Sequence, residues 1–220
     1  MSKNLLIINI IMYIGSLLIG FHTSVSNFAL FYFDSPHFEP YQIVTHMFMH
    51  GGLGHIFFNM FALVMFGTVL EKVWGPKRFL KFYLITGLGA VLLHQGMQAY
   101  DVFQATGSIT VDNPGRQVMS FNSMDTVSMT YNVPTLGASG AIFGLLVGFG
   151  VLFPNTELML IFLPIPIKAK YFIPFLILIE LYLGIQKFSW DNMAHFAHLG
   201  GALFGYIMIK YWQSDRNKFY

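Results

Sequence analysis

The chain has 220 residues, of which 55% are hydrophobic and only 10% charged, with a mean hydropathy of +0.59; soluble domains carry about 25% charged residues. That balance excludes water as the main solvent. Basic residues number 12 and acidic ones 10, a formal net charge of +2. With no basic stripe a nucleic-acid partner is not expected, and without cysteine neither a disulfide framework nor a thiolate metal site can form.

A helix needs about 20 apolar residues to cross the hydrocarbon core. Such stretches recur in chain order at 4–22, 51–70, 79–98, 138–153, 170–186 and 193–211. They predict an all-α polytopic membrane bundle of six transmembrane helices, in one domain over 1–220. The first stretch lacks a small-residue cleavage site and reads as a retained helix, not a signal. The fourth is short and opens on the turn residues Gly137 to Gly140 after Pro134, so its start is expected below the membrane surface. Of the two long connections, 23–50 is rich in aromatics (Phe31, Tyr32, Phe33) and suits an interfacial segment. The other, 99–136, carries Asp112, Pro114 and Gly115 and suits a loop in water. No fixed-period repeat marks the chain.

Basic residues orient these stretches. Lys3, Lys72, Lys77, Arg78, Lys81, Lys168, Lys170, Lys210, Arg216 and Lys218 fall on one side if six spans alternate, and only Arg116 and Lys187 fall opposite. By the positive-inside rule both termini are cytoplasmic and the two long connections face outward. Trp74, beside Lys72 and Lys77, reads as an anchor at the cytoplasmic interface.

Ionisable residues inside spans are costly and point to function. Here they are mostly histidines: His46, His50 and His55 with Asn59 around the second span, His94 late in the third, His195 and His198 early in the sixth. Given the orientation, and a rise of 1.5 Å per residue, all of them lie within roughly 15 Å of the outer surface. Ser139, which follows the external 99–136 connection, enters the same layer by topology alone. A serine hydroxyl becomes a nucleophile when a neighbouring base takes its proton, and histidine is the usual base near neutral pH. At a helix start, the unpaired N–H groups and the positive dipole end can hold an oxyanion. Gly137 and Gly140 permit sharp turns beside the serine, and His55 and the Asn59 amide offer further donors.

Gly140, Gly144 and Gly148 in the fourth span, and Gly201 and Gly205 in the sixth, form G-x-x-x-G faces that let helices approach closely in lipid. His198 shares the face of Gly201 and Gly205, which favours it over His195, one turn earlier, as the base. No carboxylate is expected at a depth that could orient the histidine, because Glu180 reads as deep in the fifth span and Asp191 as lying at its outer end. A serine–histidine dyad, not a triad, is therefore expected, with Ser139 as nucleophile and His195 still a competing base.

GASG at 137–140, AHLGGALFG at 197–205 and the His50, His55, Asn59 series, in this order on six spans, resemble the rhomboid intramembrane serine proteases. The resemblance covers essentially the whole chain. It implies a helical bundle whose water-filled active site opens to the outside, with Ser139 as nucleophile and His198 as general base. It implies an oxyanion hole of His55, Asn59 and the Ser139 N–H next to Ala138 and Gly137, with His50 as a supporting polar residue. It also implies that the fifth span gates lateral substrate access and that 23–50 is a membrane-embedded first loop. Where many bacterial members carry a tyrosine stacked on the histidine, Phe143 stands here. The first-loop Trp-Arg pair is absent, and the 99–136 loop is long for the family.

The expected activity is that of an endopeptidase cutting transmembrane segments of other membrane proteins near the outer surface of a bacterial inner membrane. Its partners would be those proteins and lipid, with no cofactor and no metal. One rival is a haem or metal protein using the histidines, although no H-E-x-x-H zinc motif occurs. Another is an inactive relative that binds membrane proteins without cutting, a type that usually lacks the serine or histidine present here. A transporter ranks lower, since no paired intramembrane carboxylates or broken-helix repeats are visible. His46 and His94 are expected to be structural or interfacial.

Overall fold

The computed structural model describes residues 1–112, 121–160, 163–188 and 193–216. Helix α1 (Ser2–Ile19) already shows the inside-out polarity of a membrane protein: Leu18 is 82% exposed while Asn9 is fully buried. In lipid an exposed leucine is in its own solvent, and a buried amide must be satisfied internally. Asn9 Nδ2 accordingly donates to the Leu5 carbonyl at 2.7 Å. Among the described residues, three helical segments are long and apolar enough to cross a membrane: Ser2–Ile19, Leu53–Trp74 and Ala169–Gln186.

After α2 (Phe21–Phe28) and the short α3 (Gln42–Thr45), the rod Leu53–Trp74 is built from α4 (Leu53–Ala62), a π-helical turn at Leu63–Gly67 and α5 (Thr68–Trp74). Gly75 breaks it with φ +77, and Pro76 opens α6 (Pro76–Thr106), a first-turn position where its missing N–H costs nothing. Gly107, at φ +79, ends α6 as a left-handed cap. At 1.5 Å per residue, α6 is about 46 Å long and overshoots a hydrocarbon core of about 30 Å.

The 99–136 connection therefore departs from the expected loop. Its first residues continue α6, and Phe121–Asn132 forms a further helix, α7. Val102, Ala105, Val111, Val127 and Tyr131 gather on Tyr32 of the 23–50 segment as a second small core. The Asp34 carboxylate accepts the Val111 N–H at 2.8 Å and the Tyr131 hydroxyl at 2.5 Å. Pro114, Gly115 and Arg116 lie outside the described residues, as does Asp191.

Helix α8 (Ser139–Leu152) is the axis of the bundle: from Gly140 to Phe149 every residue but Phe143 is buried. Around it stand α6, α9 (Ala169–Gln186) and α10 (His195–Arg216). Between α8 and α9 an antiparallel hairpin, β1 (Glu157–Leu160) and β2 (Leu163–Lys168), modifies the all-α expectation. Pro164 and Pro166 oppose helix here, and proline is tolerated on an edge strand. Helices α8 and α10 touch backbone to backbone: a Cβ on Gly201 would collide with the Gly140 carbonyl, and one on Gly205 would lie 2.9 Å from Gly144 Cα. Trp74, expected as an interface anchor, packs its ring inside the bundle against Phe82 at 4.8 Å and Trp212 at 5.4 Å.

Candidate active site

Ser139 is the first residue of α8, with Ala138 at the N-cap and no side chain capping the helix. The first-turn N–H groups therefore have no acceptor within the helix. The chain leading to Ser139 is tied down at three points. Leu30 and Thr135 exchange two backbone hydrogen bonds of 2.8 Å, Gly137 N–H donates to the His46 carbonyl at 2.9 Å, and Thr135 Oγ1 lies 2.6 Å from His94 Nε2. His46, His94 and the 23–50 segment thus hold the approach to Ser139. Gly137 takes φ +129, and a Cβ there would stand 2.8 Å from His55 Nε2. Glycine alone fits that backbone against that ring.

From the first turn of α10, His198 brings Nε2 to 2.8 Å from Ser139 Oγ. Phe143 stacks on its ring with centroids 4.3 Å apart and planes 6° from parallel. The other ring nitrogen, Nδ1, lies 2.8 Å from Glu180 Oε2, and His195 Nδ1 lies 2.7 Å from the same oxygen. All three side chains are buried. The expectation that no carboxylate reaches the histidine is overturned. Glu180 is only six residues from the C-terminal end of α9 at Gln186, about 9 Å along the axis, and its side chain reaches both histidines of α10. His195, the competing base in the sequence, faces the carboxylate.

Hydrogen-bond logic assigns the tautomers. A carboxylate only accepts, so His198 donates from Nδ1 and presents a bare Nε2 to the Ser139 hydroxyl. For His55 the order is reversed: Gly51 N–H donates to Nδ1 at 3.2 Å, which leaves the proton on Nε2, the atom nearest Gly137. Asn59 donates one amide proton to the His55 carbonyl at 2.8 Å and keeps a second. His50 is fully buried with its ring edge-on to that of His55 at 5.1 Å.

Ser139, His198, His55, Asn59 and Glu180 line one cavity of about 880 Å³, whose wall also includes Asp101. Asp101 Oδ1 pairs with Lys187 Nζ at 2.5 Å, joining α6 to the C-terminal end of α9. Among the described residues, Glu180, His195 and His198 form the one group of three metal-ligand types, with donor atoms within 4.8 Å of one another. Those atoms already face each other at hydrogen-bond distance.

Residues 37–213 match the rhomboid domain family. The chain belongs to the rhomboid family. It is 27% identical over 166 residues to "Rhomboid protein 1, mitochondrial" of Saccharomyces cerevisiae, covering 76% of this chain and 40% of that protein. It is 33% identical over 165 residues to "RHOMBOID-like protein 12, mitochondrial" of Arabidopsis thaliana, covering 74% and 43%. It is 30% identical over 171 residues to "Presenilin-associated rhomboid-like protein, mitochondrial" of Rattus norvegicus, covering 74% and 36%. The matches span under half the length of each relative. The rhomboid match takes in every cavity residue named above and leaves α1 and α2 outside. Sequence reading missed Glu180, although Gly184, one turn further along α9, marks the face it shares with α10: a Cβ there would lie 3.1 Å from His195 Cβ.

Proposed function

We propose that this rhomboid protein is an intramembrane serine endopeptidase. One observation carries the reading: a serine hydroxyl at an uncapped helix start lies 2.8 Å from an imidazole nitrogen inside a cavity. Ser139 Oγ attacks the scissile carbonyl carbon and passes its proton to His198 Nε2, while the carbonyl electron pair moves onto oxygen. The Ser139 N–H, His55 Nε2–H and the free Asn59 amide proton meet that charge, as preorganised donors do. His198 then protonates the leaving amine, and water, losing its proton to the same nitrogen, releases the acyl group. Intact helices hide their carbonyls in internal hydrogen bonds. The substrates are therefore transmembrane segments that unwind easily near the outer surface.

The same reading makes the chain a single domain of six spans, with its basic ends on the cytoplasmic side and the cavity opening outward. The relatives' names are mitochondrial and lend no support to the expected bacterial inner membrane. Fractionation of tagged protein decides which membrane holds it. The test of the activity is cleavage of a single-span protein co-reconstituted in vesicles. Wild type cuts it and Ser139→Ala does not; equal cutting by both ends the proposal, and no cutting by wild type favours a binding role.

A further inference from the structure

The cavity wall contains a buried carboxylate that the serine–histidine chemistry above does not invoke. Glu180 sits on α9, whereas the serine is on α8 and the histidine on α10. Its Oε2 faces His198 Nδ1 at 2.8 Å on the side of the ring away from Ser139. His195 Nδ1, at 2.7 Å, grips the same oxygen and keeps the carboxylate from turning away. Gly184, one turn along α9, lets that helix close on His195 and Phe196, where a Cβ would find neighbours at 3.1 and 3.2 Å. Phe143 covers a face of the His198 ring, so the imidazole is fixed by a plane and by an edge.

Resting on the protease reading above, we infer that Glu180 is a positioning residue that completes a Ser139–His198–Glu180 relay across three helices and couples the base to the seating of α9. Its hydrogen bond selects the tautomer whose Nε2 is bare toward Ser139. When Nε2 takes the serine proton, the carboxylate faces the cation that forms. No proton passes to Glu180: Nδ1–H stays on the ring through both half-reactions. Helix α9 exposes Phe175, Leu178, Tyr182 and Ile185, so its hold on the bundle is one-sided. Any outward shift of α9 withdraws the carboxylate and leaves the imidazole free to adopt the unproductive tautomer.

The test uses full-length protein in vesicles. In Glu180→Gln, kcat falls by about 100-fold to 10,000-fold, the upper figure being that for loss of the triad aspartate in a serine protease. KM stays within about threefold, because substrate binding is not what the group serves. Glu180→Asp recovers part of the rate. Reaction of Ser139 with a fluorophosphonate probe slows in parallel. A folded Glu180→Gln protein with kcat within about threefold of wild type overturns the inference. Should that variant fail to fold, the His198 tautomer in ¹⁵N-histidine-labelled Ser139→Ala protein decides it: a proton on Nδ1 supports the relay, and one on Nε2 refutes it. Unchanged cleavage by Ser139→Ala would instead sink the protease reading itself.

Discussion

Gly137→Ala is the sharpest probe of the oxyanion side of the cavity. The new Cβ would lie 2.8 Å from His55 Nε2 and 3.6 Å from Ser139 Oγ. Ordinary contact begins at 3.4 Å, so the ring would retreat from 2.8 to 3.4 Å, about 0.6 Å. Useful oxyanion donors act over about 2.7–3.1 Å, so a shift of this size removes His55 from the set, and loss of one donor costs about 100-fold to 1,000-fold in kcat, ~2.7–4 kcal/mol. The backbone adds strain, because φ +129 is a region where a non-glycine residue costs about 1–3 kcal/mol. The expected result, from initial rates on a reconstituted single-span substrate and thermal unfolding in detergent, is a kcat loss of that order with a modest fall in stability. A folded Gly137→Ala protein with kcat within about threefold of wild type would refute this account of His55.

Asn59→Ala should lower kcat by about 10-fold to 1,000-fold, as for one oxyanion donor; an unchanged rate removes Asn59 from that role. His198→Ala should abolish cleavage, whereas His195→Ala, which only loosens Glu180, should retain a measurable rate; the reverse pattern would move the base one turn along α10. In the cap that α7 and the end of α6 form over Tyr32, burial first and the Asp34 carboxylate second raise the Tyr32 hydroxyl to about 12 and push Tyr131 up as well. The folded state holds these protons more tightly than the unfolded chain. The stability they contribute is therefore complete below about pH 10 and lost as pH rises through the folded values. Ultraviolet titration should show late-ionising tyrosines, one fewer in Tyr131→Phe, and uniform titration near pH 10 would contradict the cap.

What the sequence revealed and what it hid follow from the range of each interaction. Helix positions were legible because apolar runs and basic clusters are local, so 138–153 and 170–186 differ from α8 and α9 by a residue at each end or less. The approach of Ser139 to His198 was expected from an assumed alternation of spans, which puts both residues at one depth. The C-terminal end of α6 was not legible, because the Gly107 cap stops it eight residues beyond the apolar stretch 79–98. The cap core was hidden too: Val127 and Tyr131 are one turn apart on α7, but their partners Tyr32 and Val102 are far away in sequence. Glu180 was misjudged because depth along a helix axis ignores side-chain reach. A charged group well inside a span costs about 2.5–3.5 kcal/mol, and here that cost is offset by two imidazole hydrogen bonds and the close packing at Gly184.

The most direct measurement is covalent: intact-mass analysis after a fluorophosphonate probe, paired with substrate cleavage in vesicles, for wild type, Ser139→Ala and His198→Ala. The account predicts one adduct on wild type, mapped to Ser139, with cleavage, and neither adduct nor cleavage in both variants. An adduct on another residue, or cleavage by Ser139→Ala at the wild-type rate, would contradict it.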